Sequence, residues 1–385
     1  MTRSFGVQLH PTSLPGGRLG AAAYAFVDWL AEAGARWWQI LPLGPPDEFG
    51  SPYASTSAFA GWEGFLAEPD ARVTTGEAEL FRTANSYWID DWLDFKGGDA
   101  LADQVRFAAE WSALRAYARA RGVSVIGDIP IYVATHSCDH AAHPELFLPL
   151  DTFVAGAPPD DLNADGQLWG NPLYDWAAHA REGYRWWIER VRRTLSLCDM
   201  FRIDHFRGFA GYWAIPANAD TARDGHWEAG PGAALFEALG RTLGKLPVIA
   251  EDLGVITPDV VELRDRMHLP GMTVMVWADL GPQDNPHRLE NHRENQVVYT
   301  STHDSQTLVG AFPDADPWML IERAFSSRAS LAITPAQDVL GLGDDARMNR
   351  PGEVGGNWGW RLEAGQLGSA HAARLRAAAE RARRA

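Results

Sequence analysis

The chain has 385 residues, 46% of them hydrophobic, enough to bury a core larger than one small domain needs. Fifty acids against 34 bases give a formal charge of −16, which argues against nucleic acid and anionic membranes, since both demand dense positive patches. Cys138 and Cys198 fit neither a metal spacing nor a disulfide framework, no segment is apolar enough to span a bilayer, and Met1-Thr2-Arg3-Ser4-Phe5-Gly6 lacks a signal-peptide core, so a reducing cytoplasm is the expected home.

Along the chain, short β-branched or aromatic runs alternate with amphipathic helical stretches. The first predicted strand covers 5–9, followed by a helix over 21–35 and a strand over 37–41. A helical excursion over 79–119 fills the long gap before the strand at 123–127. A helix over 182–197 leads into the apolar run before Asp204. The remaining strands are 248–250, 272–277, the run from Val297 toward Asp304, and 331–333 leading to Gln337-Asp338. An Ala/Arg-rich helix over 370–385 closes the chain. Eight strands alternating with helices predict an α/β fold, a (β/α)8 TIM barrel with its site at the strand C-terminal ends. A doubly wound open sheet is the alternative, weakened because no Gly-rich phosphate loop follows any strand. One catalytic domain over 1–385 is expected, with a loop and helical insertion at about 42–120.

Three of the strand runs end in an acid. In Phe201-Arg202-Ile203-Asp204-His205-Phe206-Arg207-Gly208, a carboxylate is fenced by Arg202, His205 and Arg207. Val248-Ile249-Ala250-Glu251-Asp252 repeats the layout with a glutamate, and Thr300-Ser301-Thr302-His303-Asp304 with an aspartate. Taken alone, any of these reads as a structural acid–base pair at a strand end. Together they look like one site assembled from three strand ends. Two chemistries suit such a cluster. Acids on neighbouring strand ends hold magnesium in some barrels; a pair of carboxyls also cleaves glycosidic bonds with retention, one as nucleophile and one as acid/base. The cations beside the acids favour the second. The chain's two lysines, Lys96 and Lys245, sit in turn-like glycine settings, so neither serves as a barrel-strand Schiff base or lysine base. Seventeen tryptophans exceed what a core needs, and aromatic faces suit the stacking of sugar rings.

Further motifs carry a resemblance: Leu9-His10-Pro11-Thr12-Ser13-Leu14-Pro15-Gly16, Trp38-Gln39-Ile40-Leu41-Pro42-Leu43-Gly44-Pro45, Ser51-Pro52-Tyr53 and Gly127-Asp128-Ile129-Pro130-Ile131. Gly166-Gln167-Leu168-Trp169-Gly170-Asn171-Pro172, Ala346-Arg347-Met348-Asn349 and Gly356-Asn357-Trp358 complete the set. With the three acid motifs, the chain resembles the amylomaltases, the 4-α-glucanotransferases (disproportionating enzymes) of glycoside hydrolase family 77, nearly end to end. The resemblance implies a barrel that needs no cofactor or metal and acts on maltooligosaccharides, amylose or glycogen-derived glucans. It implies Asp204 as nucleophile, Glu251 as acid/base and Asp304 as transition-state stabiliser. Tyr53, Asp128, Asp160, Trp169, Arg202, His205, His303 and Asn349 match positions that bind the sugar. Compared with that family the helical insertions in the βα loops are shortened. Asp161-Leu162 stand where Tyr-Phe is usual, and Ser305-Gln306 where Asn-Asp is usual. These departures touch water exclusion, so the same acids ending on water (a maltooligosaccharide hydrolase) and a silent glucan-binding protein stay as alternatives.

Overall fold

The computed structural model describes residues 3–160, 163–353 and 355–385, so the Asp161-Leu162 departure lies outside the described residues. Eight parallel strands form one sheet: β1 (Ser4–Gln8), β2 (Trp37–Gln39), β3 (Ser124–Ile129), β4 (Met200–Ile203), β5 (Val248–Ala250), β6 (Gly271–Val274), β7 (Gln296–Tyr299) and β8 (Leu331–Pro335). Their order, β6-β7-β8-β1-β2-β3-β4-β5, is that of a barrel, with β8 paired to both β7 and β1. The strands are buried on both faces, which is why they read as apolar runs without alternation. Gly6 is required where β1 meets β2, because a Cβ there would stand 2.6 Å from Trp37 Cβ.

The seam between β5 and β6 is closed by other means than a regular ladder. Ala250 N–H donates to the Pro270 carbonyl at 2.9 Å, and Asp252 Oδ1 accepts the Met272 N–H at 2.7 Å while its other oxygen pairs with Arg264. An acid beside the site thus completes the barrel wall.

Helices ring the strands: α1 (Ala21–Ala33), α2 (Thr75–Ala84), α3 (Ile89–Lys96), α4 (Ala100–Ala120), α5 (Arg185–Leu197), α6 (Ala233–Leu243), α7 (Pro258–Arg266), α8 (Pro317–Ser326) and α9 (Ser369–Arg381). The single excursion expected over 79–119 is three helices. A Thr74/Glu77 capping box starts α2, Asn85 ends it, and α3 stops at Gly97 in the left-handed region. The long α4 packs on α1 and buries Trp111, whose indole N–H donates to the Leu197 carbonyl at 2.8 Å. The terminal helix α9 also packs on α1, and Arg384 beyond it is fully buried. Its guanidinium donates to the carbonyls of Ser4, Phe325, Ser327, Ala329 and Ser330.

A four-stranded antiparallel sheet stands beside the barrel, a feature the sequence reading lacked. Its strands run in the order Gln167–Pro172, Phe153–Ala157, Gly211–Pro216, His226–Ala229. The first two come from the β3–β4 connection and the others from the β4–β5 connection. This sheet carries Trp169 to the mouth of the barrel, and the turn between its first two strands in sequence carries Asp160.

Candidate active site

The C-terminal strand ends open into a cleft of about 1100 Å³, at the top of the usual range for small-molecule sites. Asp204, Glu251 and Asp304 line it, with Tyr53, Asp160, Trp169, Arg202, His205, His303 and Asn349. Asp128 lies elsewhere than the cleft wall: its side chain has no exposed surface and sits below the acids, directly opposite Arg202 in the β3–β4 register.

Arg202 organises this floor. Nη1 donates to both oxygens of Asp128 at 3.0 and 2.9 Å, and Nη2 to Asp204 Oδ1 at 2.7 Å. Nη2 also stands 3.9 Å from Glu251 Oε2. The two distances together hold Asp204 Oδ1 and Glu251 Oε2 within 6.6 Å of each other. Tyr53 O–H donates to Asp128 Oδ2 at 2.6 Å, which completes the partners of a fully buried carboxylate. Burial raises Asp128 to about 6 even against Arg202, and the surrounding acids raise Arg202 although burial opposes them. The pair is a desolvated cross-strand clamp, with Asp204 hung from its free edge.

Glu251 follows β5 and faces backbone donors. His205 N–H reaches Oε2 at 2.6 Å and Leu253 N–H reaches Oε1 at 3.0 Å. His205 can aim its N–H there because it turns into the left-handed region, φ 48°, directly after Asp204, a conformation rare for a side chain of this size. Despite those donors and Arg202, burial, reinforced by the charge of Asp204, pushes Glu251 up to about 8. The carboxyl therefore holds its proton at neutral pH.

Asp304, in the loop after β7, has the opposite setting. Burial would raise it, yet His303, Asn349 and Arg202 hold it at about 2. His303 Nε2 lies 3.0 Å from Oδ2, and Asn349 Nδ2 donates to Oδ1 at 2.6 Å. The loop is fixed from behind: Arg347 donates to the Asp304 carbonyl, and buried Asp338 accepts from Thr300 Oγ1, Ser301 Oγ and the Leu308 N–H. Tyr53 stacks on His303 with ring centroids 5.1 Å apart, and Trp358 leans on both. Trp169 is 36% exposed, and its ring meets that of His205 at right angles with centroids 4.8 Å apart. Asp160 sits in a tight turn, its Oδ1 accepting the Asn163 N–H.

Trp277, Leu280 and His287, from the β6–β7 connection, also line the cleft and were absent from the sequence-based site. Trp277 was visible only as the end of a strand run, and no motif marks the others. Among the described residues, no group of three or more His, Cys, Asp or Glu side chains is arranged to hold a metal ion, and no helix is long and apolar enough to cross a membrane. Each site acid is instead engaged by arginine, amide or backbone donors.

Strand order, sugar-sized cleft and split acids together define a carbohydrate-active barrel enzyme. The chain belongs to the 4-alpha-glucanotransferase family, whose sequence profile matches residues 9–97 and 100–367. It is 40% identical to the 4-alpha-glucanotransferase of Thermus thermophilus over an alignment of 494 residues that covers 99% of each chain. It is 39% identical to the chloroplastic/amyloplastic 4-alpha-glucanotransferase of Arabidopsis thaliana, covering 94% of this chain and 81% of the relative. Among solved structures, the amylomaltase from Streptococcus agalactiae in complex with acarbose superposes with a TM-score of 0.92 at 30% identity, covering 100% of both chains. The amylomaltase from Corynebacterium glutamicum shares the fold, with a TM-score of 0.77 at 17% identity over 97% of this chain and 73% of that one. The chain is an enzyme of 4-alpha-glucanotransferase type.

Proposed function

We propose that the protein transfers α-1,4-glucan segments between maltooligosaccharides by a retaining double displacement. Asp204 Oδ2, the oxygen left without a bond to Arg202, attacks the anomeric carbon. Glu251 gives its proton to the departing 4-oxygen, so a covalent glycosyl-enzyme and a shortened glucan result. Ionised Glu251 then takes the proton of an incoming glucan 4-hydroxyl, whose oxygen attacks the anomeric carbon and frees Asp204. Asp304, kept as a carboxylate, accepts sugar hydroxyls and favours the positive charge that builds at the ring. The observation that carries this reading is the approach of Asp204 and Glu251 through Arg202, with Glu251 protonated near neutrality. Retaining pairs stand about 5–5.5 Å apart and inverting pairs about 6.5–9.5 Å; the 6.6 Å upper bound supports the former. Maltooligosaccharides and the glucans of amylose or glycogen are the substrates of this reading, and two free buried cysteines support a reducing, cytoplasmic location for it.

Incubation with maltotriose tests the proposal. Glucose together with a ladder of longer maltooligosaccharides, at constant total reducing ends, is the expected outcome. Glucose and maltose with rising reducing ends mean that water replaces the glucan acceptor, and unchanged maltotriose overturns the reading.

A further inference from the structure

The β6–β7 connection forms part of the cleft wall and is unusually well fixed for a loop. Asn285 Nδ2 donates to the carbonyls of Trp277 and Leu280 at 2.8 and 2.5 Å, and its Oδ1 accepts the His287 N–H at 2.9 Å. Behind it, His292 Nε2 bonds the His287 carbonyl at 3.0 Å and Thr273 Oγ1 at 2.9 Å, while its Nδ1 meets Ser327 Oγ at 2.7 Å. Three cleft residues, Trp277, Leu280 and His287, are therefore held in place before any ligand arrives.

The imidazole of His287 has its proton assigned by geometry. Nδ1 lies 3.2 Å from the Val274 backbone N–H. A backbone N–H only donates, so Nδ1 must present its lone pair. Burial, reinforced by His292, lowers the group to about 4, so the ring is neutral at pH 7 and its proton sits on Nε2. That nitrogen has no hydrogen-bond partner among the described residues and is not one of the buried unpaired atoms, so it keeps accessible surface, and the residue lines the cleft. The ring of Trp277 lies 5.4 Å away, tilted at 59°, and Val255 and Leu280 also line the cleft with exposed apolar surface.

We infer that His287 is a specificity-determining residue of this cleft, donating its Nε2–H to a hydroxyl of a glucose unit whose apolar face rests against Trp277. A neutral donor beside an aromatic face suits an uncharged polyhydroxylated ring. The inference rests on the glucan-transfer reading above.

His287→Asn and His287→Ala separate the donor from the loop. The asparagine Oδ1 can still accept the Val274 N–H, but its amide is too short to replace Nε2; alanine loses both contacts. Kinetics with maltotriose, and maltoheptaose binding by calorimetry in a Glu251→Gln background, are compared at matched thermal stability. Loss of one neutral hydrogen bond predicts a rise of about three- to tenfold in KM and Kd for His287→Asn, larger than any change in kcat. Unchanged KM and Kd in His287→Asn, with the effect confined to His287→Ala, assign His287 to loop packing and overturn the inference. Should His287→Asn fail to fold, His287→Gln, which can carry an amide N–H toward the cleft, is expected to bind better than His287→Ala; equal binding overturns the inference. A parent protein that neither converts nor binds maltooligosaccharides removes the transfer reading itself, a result distinct from an active parent indifferent to His287.

Discussion

Glu251→Gln should abolish transfer while stabilising the fold, and the gain should grow with pH. Burial raises Glu251 from 4.5 to about 8 in the folded protein, whereas the unfolded chain titrates near the ordinary value. Folding thus takes up a proton in that interval. The stability associated with the protonated carboxyl is complete below about pH 4.5 and is lost as pH rises through about 8. Glutamine resembles the protonated acid and does not titrate, so its own desolvation is the same at every pH. At about 1.36 kcal/mol per unit, the variant's advantage grows from about 1 kcal/mol at pH 5 to about 5 kcal/mol at pH 9. For a chain of this size each kcal/mol moves Tm by about 1 °C, so the Tm gap should widen by about 4 °C between the two pH values. Calorimetric melting of parent and variant at pH 5 and pH 9 measures it directly. A Tm gap of equal size at both would refute the argument that burial keeps Glu251 protonated.

If Glu251 is the proton donor of the proposed reaction, the parent's kcat/KM should fall along a basic limb near pH 8; a plateau in kcat/KM through pH 9.5 would exclude it as the acid. Asp204→Asn should lower kcat by several orders of magnitude, roughly 10³-fold or more, with an unchanged circular dichroism spectrum; near-normal turnover would move the nucleophile elsewhere. Arg202→Met leaves Asp128 buried without its cation and should cost about 3–5 kcal/mol in urea unfolding as well as activity. Arg384→Met removes a donor from five carbonyls, of which Ser330 keeps the Ser4 N–H and Phe325 keeps Arg3, and should cost about 3 kcal/mol without altering KM, a separation that unfolding and kinetic measurements read independently.

The barrel was legible because its strands are buried on both faces: runs such as Val297-Val298-Tyr299 and Val248-Ile249-Ala250 need no alternation to declare themselves. The acids were legible for a related reason, since a charge directly after such a run must stand at a strand end. The side sheet followed neither rule. His226–Ala229 is exposed along its whole length and contains a single apolar aromatic, so nothing distinguished it from a loop. Asp128 illustrates a different gap. Its motif placed it at the end of β3, but only the register, which sets it opposite Arg202, puts it beneath the cleft instead of along its wall. His287 lies in a connection whose shape is set by Asn285 and His292, contacts that sequence spacing does not encode.

Residue type does not assign the roles of the two carboxyls that differ most. The Glu251 side chain is 10% exposed and that of Asp304 35%, yet desolvation acts on both in the same direction. What separates them is the donor each receives. Asp304 receives a side-chain amide hydrogen bond at 2.6 Å and has an imidazole nitrogen 3.0 Å from its other oxygen. Glu251 has two backbone N–H groups and sees Arg202 only at 3.9 Å, because that guanidinium is already committed to Asp128 and Asp204. By occupying Nη1, Asp128 holds Arg202 on the Asp204 side, with Nη2 3.9 Å from Glu251. In the proposed reaction, a proton donor and a permanent carboxylate would then arise from two similar acids because Asp128 and Asp204 share the arginine that stands nearest Glu251.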